Sequence, residues 1–161
     1  MASDIFAKIG EIKGESMDSK HKDEIELTSW SWGVSNSGTM ASGSGGGEGV
    51  ASLQDFHFTH FVDKASTSLM VACASGAHIK EATITSRKAG KDQQEYLIFK
   101  LNDIIITSVS PGGTGEGGGT AESVTLQAAK YVVEYHPQKQ DGTLDAAAFF
   151  KADVKAKTFT A

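Results

Sequence analysis

The strongest structural signal in the chain lies in residues 95–109, which read EYLIFKLNDIIITSV. β-Branched and aromatic residues fill this stretch, and such residues favour β-strands. Between Tyr96 and Ile106 both alternating faces are apolar, whereas a strand with one side in water alternates with polar residues. We therefore expect a helix of the same chain or a neighbouring subunit to cover the outer side. The Asn102-Asp103 pair favours a turn, so the stretch should divide there into two strands.

Six further runs of the chain share a hydrophobic period of two. Several short strands separated by turns are typical of an all-β barrel or sandwich. Together with the division at Asn102, these runs predict a mainly β fold, a single β-barrel of about eight strands. The six runs are residues 5–9, 24–33, 50–62, 78–87, 122–135 and 149–159.

Residues 63–76, DKASTSLMVACASG, differ from this pattern and predict one short α-helix. Apolar residues recur there at helical spacing on one face. Asp63 is placed to cap the start of the helix and Gly76 its end. The apolar face comprises Ala65, Leu69, Ala72 and Cys73.

Two glycine-rich windows, residues 38–49 and 112–119, hold twelve of the 18 glycines. They predict loops, because glycine loses more backbone freedom in a helix or strand than any other residue. The second window contains the spacing Gly-x-Gly-x-x-Gly of dinucleotide-binding sites, but that motif needs a helix directly after it. Residues 124–135 read as a strand instead, so we expect a loop without a nucleotide.

Length and charge narrow the function classes. The 161 residues fit one domain, which we place at residues 1–161. The formal net charge is -5 and no basic stripe is present, so nucleic acid is not an expected partner. No stretch approaches the roughly 20 apolar residues of a membrane span. The first residues lack the basic and apolar regions of a signal peptide, and none is predicted.

The sequence offers only weak signals for catalytic or metal-binding groups. Cys73 is the only cysteine, which excludes a disulfide within the chain and a Cys-x-x-Cys pair. His57 and His60 lie three apart on a predicted strand and project to opposite sides. We assign no catalytic residue, metal or cofactor, and we expect no enzyme. The remaining histidines are expected to be surface or cap residues: His21, His78 and His136.

Two tryptophans and two serines alternate in residues 24–33. Trp30 and Trp32 share one face of the predicted strand and should fill the core. Ser29 and Ser31 fall on the other face, together with Ile25 and Leu27. Small hydroxyls side by side could line a wet surface such as a channel.

Short motifs follow one another along the chain. It opens with Ile9-Gly10-Glu11-Ile12-Lys13-Gly14-Glu15-Ser16, followed by His21 and by Ser29-Trp30-Ser31-Trp32-Gly33. Further motifs are Asp63-Lys64-Ala65-Ser66, Arg87-Lys88-Ala89-Gly90, Glu95-Tyr96-Leu97-Ile98 and Tyr135-x-Pro137-Gln138. In this order they resemble the Hcp family, which forms the inner tube of the bacterial type VI secretion system.

The resemblance implies function by assembly. Six copies would close into a ring with an open channel, and rings would stack into a tube. The tube would lie inside a contractile sheath, carry a spike protein at its tip and hold small effector proteins in its channel. The protein would be cytoplasmic before firing and then be secreted without a signal peptide.

Two sets of residues follow as candidate sites. Ser29 and Ser31 are candidates for contact with effectors in the channel. Hairpin tips of a barrel lie at its rims, so residues 38–49 and 87–92, and the C-terminal tail, are expected near the faces where rings stack. The stacking candidates are Gly38, Gly43, Gly47, Lys88, Gly90, Lys91, Lys155 and Lys157.

Two other function classes are weighed against the tube. A carrier or chaperone for secreted cargo would use the same polar channel residues. A small-ligand barrel or an enzyme is disfavoured, because barrels of about eight strands are usually filled by side chains.

Overall fold

A computed structural model of the chain describes residues 3–38, 49–88 and 92–161. These residues form eleven β-strands and one α-helix, so the predicted mainly β class with one helix is confirmed. In the described residues, no helix is long and apolar enough to cross a membrane. The strands are β1 (Ser3–Ile9), β2 (Ile25–Glu26), β3 (Ser29–Ser31), β4 (Val34–Asn36), β5 (Ala51–Leu53), β6 (Phe56–Phe61), β7 (Ile79–Lys88), β8 (Glu95–Gly112), β9 (Ala121–Tyr135), β10 (Ala148–Asp153) and β11 (Thr158–Thr160), and the helix is α1 (Lys64–Ser75).

The strand count exceeds the predicted eight because five strands are only two or three residues long. Strands of this length are too short to display a period in the sequence. The run at residues 24–33, for example, divides into β2 and β3. Residues 113–120 form no strand and connect β8 to β9, as expected for the second glycine-rich loop. A strand rather than a helix follows that loop, so the phosphate-binding context of the glycine motif is missing.

The main sheet is antiparallel and centred on β7, β8 and β9. Its paired order is β11-β10-β9-β8-β7-β1-β2, and β6 links β9 to β3. β2 and β3 follow each other along the chain but do not pair. In the described residues the paired strands therefore form no closed ring, and closure into a barrel stays a prediction. β4 and β5 form a separate hairpin.

The predicted division of the long central run into two strands is wrong. β8 is one strand of 18 residues, paired with β9 from Leu97 to Gly112. The Asn102-Asp103 pair is accommodated by a positive φ of 54° at Asp103, a conformation that aspartate tolerates better than most residues. The residues that face the core change from odd-numbered to even-numbered positions at Asp103. Phe99 and Leu101 are buried before it, and Ile104 and Ile106 are buried after it.

The outer side of β8 is less completely covered than the core side. Ile98 and Ile105 are half-buried, whereas Leu101 and Ile104 are at most 1% exposed. Helix α1 packs against β8.

Helix α1 matches its sequence signals. Asp63 is the N-cap and accepts the backbone N–H of Ala65 at 2.9 Å, and the hydroxyl of Ser66 accepts the backbone N–H of Asp63 at 3.1 Å. Gly76 ends the helix with a φ of 66°. Leu69 is fully buried and Cys73, on the same predicted face, is half-buried.

Residues 10–24, here called the strap, connect β1 to β2 without forming a strand of their own. The backbone N–H of Gly14 donates to Asp23 O at 2.7 Å, and that of Ser16 donates to Glu24 O at 3.0 Å. Glu15 Oε2 accepts the backbone N–H of Lys64, in the first turn of α1, at 2.9 Å. The strap thus joins the start of the helix to the edge of the sheet.

Candidate assembly and channel surfaces

The alternation of serines and tryptophans begins at an irregularity between β2 and β3. Thr28 and Ser29 both oppose Thr59 of β6: the Thr28 N–H donates to Thr59 O at 2.8 Å, and Ser29 pairs with Thr59 in register. Both hydroxyls also lie 2.6 Å from Thr59 Oγ1. Because two residues of this strand face a single residue of β6, the side chains that follow point to the opposite faces from those that a strict period of two predicts.

This reversal corrects the predicted face assignment. Ile25 and Leu27 are buried on the core side instead of sharing a face with the serines. Trp30 and Trp32 also point toward the core, where the Trp30 ring lies 4.6 Å from Phe99 and the Trp32 ring lies 5.2 Å from Tyr131. Both tryptophans are half-buried.

Ser29 and Ser31 are exposed and belong to two rows of small polar side chains that cross four strands. In each row the residues are register partners, so their side chains share one face of the sheet. We call these eight positions the hydroxyl surface. The first row is Ser31, His57, Thr125 and Ser108, and the second row is Ser29, Thr59, Ser123 and Ser110.

Hydrogen bonds connect neighbouring members of the hydroxyl surface. Thr125 Oγ1 lies 3.3 Å from His57 Nδ1 and 3.4 Å from Ser108 Oγ. None of the eight positions carries an Asp, Glu, Lys or Arg. The opposite face of the same strands supplies Phe56, Phe58, Val124 and Leu126, all fully buried. One side of this sheet is therefore core, and the other is polar at these eight positions.

The four strands that carry the hydroxyl surface end in two edges without a pairing partner among the described residues. β3 pairs with β6 alone. β8 pairs with β7 as far as Ile104, and its remaining residues pair only with β9. Unpaired edges present free N–H and C=O groups that another strand can bind.

The stacking candidates fall in different parts of the fold. Lys88 is half-buried; its ammonium bonds to Gln138 and lies 5.9 Å from the Tyr96 ring centroid. Lys155 and Lys157 are exposed in the turn between β10 and β11. Gly38 is exposed, with a φ of 59°. The remaining candidates lie outside the described residues: Gly43, Gly47, Gly90 and Lys91.

Arg87, the first residue of the range 87–92 that is expected near a stacking face, is buried. It is 2% exposed, its guanidinium bonds to Asp18 and lies 3.3 Å from Asp4 Oδ2, and it covers the Phe6 ring at 4.8 Å. The hydrogen bonds from Arg87 hold the pKa of Asp18 well below its usual range, and the same bonds raise the pKa of Arg87. This arginine ties the strap to β1 and β7.

His21 is likewise buried, contrary to the expected surface or cap position. It is 7% exposed, stacks on Phe6 at 4.4 Å, and contacts Glu24 and Glu95. Glu95 lies 74 residues away along the chain, and the two partners of Arg87 lie 69 and 83 residues away. No local pattern in the sequence relates residues so far apart.

His57 and His60 project to opposite sides of β6, as predicted. His57 belongs to the hydroxyl surface, whereas His60 is fully buried with Nε2 2.8 Å from Glu122 Oε1. Burial raises the pKa of the neighbouring Asp63 carboxyl. Within residues 3–38, 49–88 and 92–161, no three His, Cys, Asp or Glu side chains are grouped so that they could hold a metal ion.

Comparisons with known proteins agree with the family resemblance that the motifs indicate. A sequence model of the family described as "Type VI secretion system effector, Hcp" matches residues 6–135. The chain is 49% identical over 146 residues to Protein hcp1 of Pseudomonas aeruginosa, covering 90% of each chain.

Two solved structures extend the similarity to the fold. Hcp1 from Salmonella typhimurium is 37% identical, with a TM-score of 0.78 over 99% of this chain and 100% of that one. A structure titled as a type six secretion system protein is 26% identical, with a TM-score of 0.92 over the same shares.

Proposed function

The chain belongs to the Hcp family of type VI secretion proteins, and on this premise we propose that it is a structural subunit of the secretion tube. Six copies close into a ring by repeating one contact between unlike surfaces, which is how heterologous interfaces form closed rings. Rings stack into a tube that is secreted. The whole chain acts as one β-barrel domain.

The observation that carries this proposal is the four-stranded sheet under the hydroxyl surface. Its apolar face is used within the chain, its other face carries the eight polar residues of the hydroxyl surface, and both of its edges are free of strand partners in the described residues. Placing the β3 edge of one copy beside the β8 edge of the next satisfies both edges. The ring then presents the hydroxyl surface of every copy to a continuous wet channel.

The remaining parts of the proposal follow the family. Effector proteins contact Ser29 and Ser31 in the channel. Stacking uses the rims, with Lys88, Lys155, Lys157 and the glycine-rich residues 38–49 as contacts. The tube is assembled in the cytoplasm, lies inside a contractile sheath and carries a spike protein. No catalytic step is required of the chain.

Cysteine cross-linking tests the proposed contact between the β3 edge of one copy and the β8 edge of the next, here called the seam. Two double variants are made in a Cys73→Ser background, one with Ser29→Cys and Ser110→Cys and one with Ser29→Cys and Ser108→Cys. Two are needed because the structure of one chain does not define the register between copies. A short bis-maleimide should then join protomers into a ladder that ends at six. Variants with one new cysteine are the matched controls and should stop at dimers. A ladder in the controls, or monomers in both double variants, would contradict the seam.

A role as effector carrier is favoured by the uncharged, hydrogen-bonding character of the hydroxyl surface. Ser31→Gln should keep the ring mass but reduce the amount of a small effector that copurifies with it. Lys8→Gln, at an exposed position of β1 outside the four strands that carry the hydroxyl surface, serves as the control. Equal effector recovery from both variants would argue for a tube that does not use this surface to hold cargo.

A further inference from the structure

A pocket of about 390 Å³ lies at the end of the hydroxyl surface, next to Asp103 of β8. This volume is within the range of sites that hold small ligands. Gln127, which lines the pocket, lies two residues after Thr125 on β9, so both side chains point from the same face. Asp55, which also lines it, lies two residues before His57, and Gln127 Nε2 lies 3.5 Å from Asp55 Oδ1. The pocket therefore opens directly from the hydroxyl surface.

The inner wall of the pocket is apolar. Tyr131 and Ala128 line it and are 3% and 6% exposed, and Ile105 lines it as a half-buried side chain. Apolar surface of this kind packs against the methylene groups of a long side chain whose charged end stays at the water. The wall therefore suits a ligand with an aliphatic stem.

The rim of the pocket carries two carboxylates from separate segments, Asp55 before β6 and Asp103 within β8. Leu101 and Ile104 face the core on either side of the positive φ at Asp103, which leaves Asp103 on the outside. None of the ion pairs that Lys or Arg forms in the described part of the chain includes either carboxylate. Lys155 supplies the one ammonium group among the described lining residues. The rim therefore keeps an excess of negative charge for a cationic ligand.

We propose that this pocket binds the guanidinium group of an arginine residue in a partner protein. Guanidinium is a planar fork of five N–H donors, so it bonds to more than one acceptor at once. Acceptors are present in the two carboxylates and in the Gln127 amide oxygen, and His78 adds a further polar group to the rim. Guanidinium is also more weakly hydrated than an ammonium group and packs on aromatic and apolar walls, here Tyr131 and Ile105.

The partner is a protein other than a second copy of this chain. Arg87 is the only arginine in the sequence, and it is 2% exposed and bonded to Asp18. In the proposed ring the hydroxyl surface faces the channel and the pocket opens from it beside His57, so the arginine belongs to an effector in the channel. That identification rests on the proposed function, whereas the binding of arginine by the pocket does not. Lys155 is also a proposed stacking contact, so a bound arginine lies close to the face where rings stack.

Methyl NMR of the intact protein tests the pocket, because its wall carries the methyl groups of Ile105 and Ala128. The probe is Nα-acetylarginine methylamide. Nα-acetylcitrulline methylamide is the matched control, since it has nearly the same shape without the charge. The arginine probe should shift both methyl signals to saturation and bind roughly tenfold more tightly than the citrulline probe, because charge-assisted hydrogen bonds are the stronger ones. Equal binding of the two probes, or no shift with either, would overturn the proposal.

Replacement of either carboxylate tests the rim. Asp55→Asn and Asp103→Asn remove one charge each, and asparagine tolerates the positive φ at position 103 as aspartate does. Both should weaken binding of the arginine probe by roughly tenfold and leave the citrulline probe unaffected. Glu116→Gln is the matched control, since this carboxylate lies in the glycine-rich loop between β8 and β9 and does not line the pocket. Parental affinity in both aspartate variants would contradict the proposal.

A lysine probe tests the choice of guanidinium. Nα-acetyllysine methylamide has the same charge, but its ammonium is a compact point charge without a planar fork. It should therefore bind more weakly than the arginine probe in the same methyl NMR titration. A lysine probe that binds as tightly as the arginine probe would refute the selectivity for arginine.

The result for the pocket is independent of the result for the ring. Binding of the arginine probe by a protein that light scattering shows to be monomeric supports the pocket, but it refutes the ring and the assignment of the arginine to an effector. Rings that bind no arginine probe refute the pocket and leave the proposed tube unchanged.

Discussion

Gly14, in the strap, is packed too closely for any side chain. A Cβ added there lies 2.4 Å from the carbonyl oxygen of Glu24 and 2.9 Å from the Cα of Ile25, distances that real Cβ atoms do not adopt. The neighbours cannot yield easily, because Ile25 is fully buried and Asp23 O accepts the Gly14 N–H at 2.7 Å. Gly14→Ala must therefore displace the backbone of the strap.

The expected cost of Gly14→Ala is about 1–3 kcal/mol, the usual range for overpacking a tight site. For a chain of this length, each kcal/mol lowers Tm by roughly 2–4 °C, so Tm should fall by several degrees. Calorimetry at equal protein concentration measures this. Gly112→Ala is the matched control, since nothing lies within 4 Å of its Cβ, and it should melt within about 1–2 °C of the parent. Equal melting of the two variants would show that the strap does not pack on β2 as described.

Three further substitutions have expected outcomes. Trp32→Ala should cost about 3 kcal/mol, the lower end of the range for removing an aromatic side chain from a core, because Trp32 is half-buried. A variant that melts at the Tm of the parent would show that Trp32 does not pack on Tyr131. Glu122→Ala should cost about 1–3 kcal/mol by leaving the buried Nε2 of His60 without its hydrogen-bond partner, whereas a free energy of unfolding equal to the parent's by urea titration would contradict the buried pair. Because Arg87 lowers the pKa of Asp18 in the folded state, this carboxylate stabilises the fold above its ordinary pKa and loses that effect as pH falls. Asp18→Asn should therefore lower Tm at pH 7 but less so at pH 3; an unchanged difference would refute the pairing.

The features predicted correctly from the sequence are those set by residues close together in the chain. Helix α1 has its cap at Asp63, its end at Gly76 and its apolar face within fourteen residues, so one window of sequence contains the whole signal. The same holds for the loop before β9. Such elements need no knowledge of their partners.

The features predicted wrongly depend on partners across the sheet. A period of two assigns faces correctly only while each residue faces one partner, and Thr28 and Ser29 both face Thr59. The sequence therefore placed Ile25 and Leu27 on the wrong side. At Asn102, pairing with both β7 and β9 holds the strand together where local preference favours a turn.

The burial of Arg87 and His21 was missed for the same reason. A lone histidine or arginine looks like a surface residue until the fold brings distant carboxylates to it, as with His21 and Glu95. The hydroxyl surface was found only at β3. Its extension to Ser108 and Ser110 emerges from the register of β6, β9 and β8, which no sequence period encodes.

Negative-stain electron microscopy of the purified protein, with light scattering on the same sample, tests the ring most directly. The account predicts rings with six-fold symmetry, an open channel, and a mass six times the 16.9 kDa of the chain. Particles without a channel, or a mass of one chain over a wide range of concentration, would contradict it.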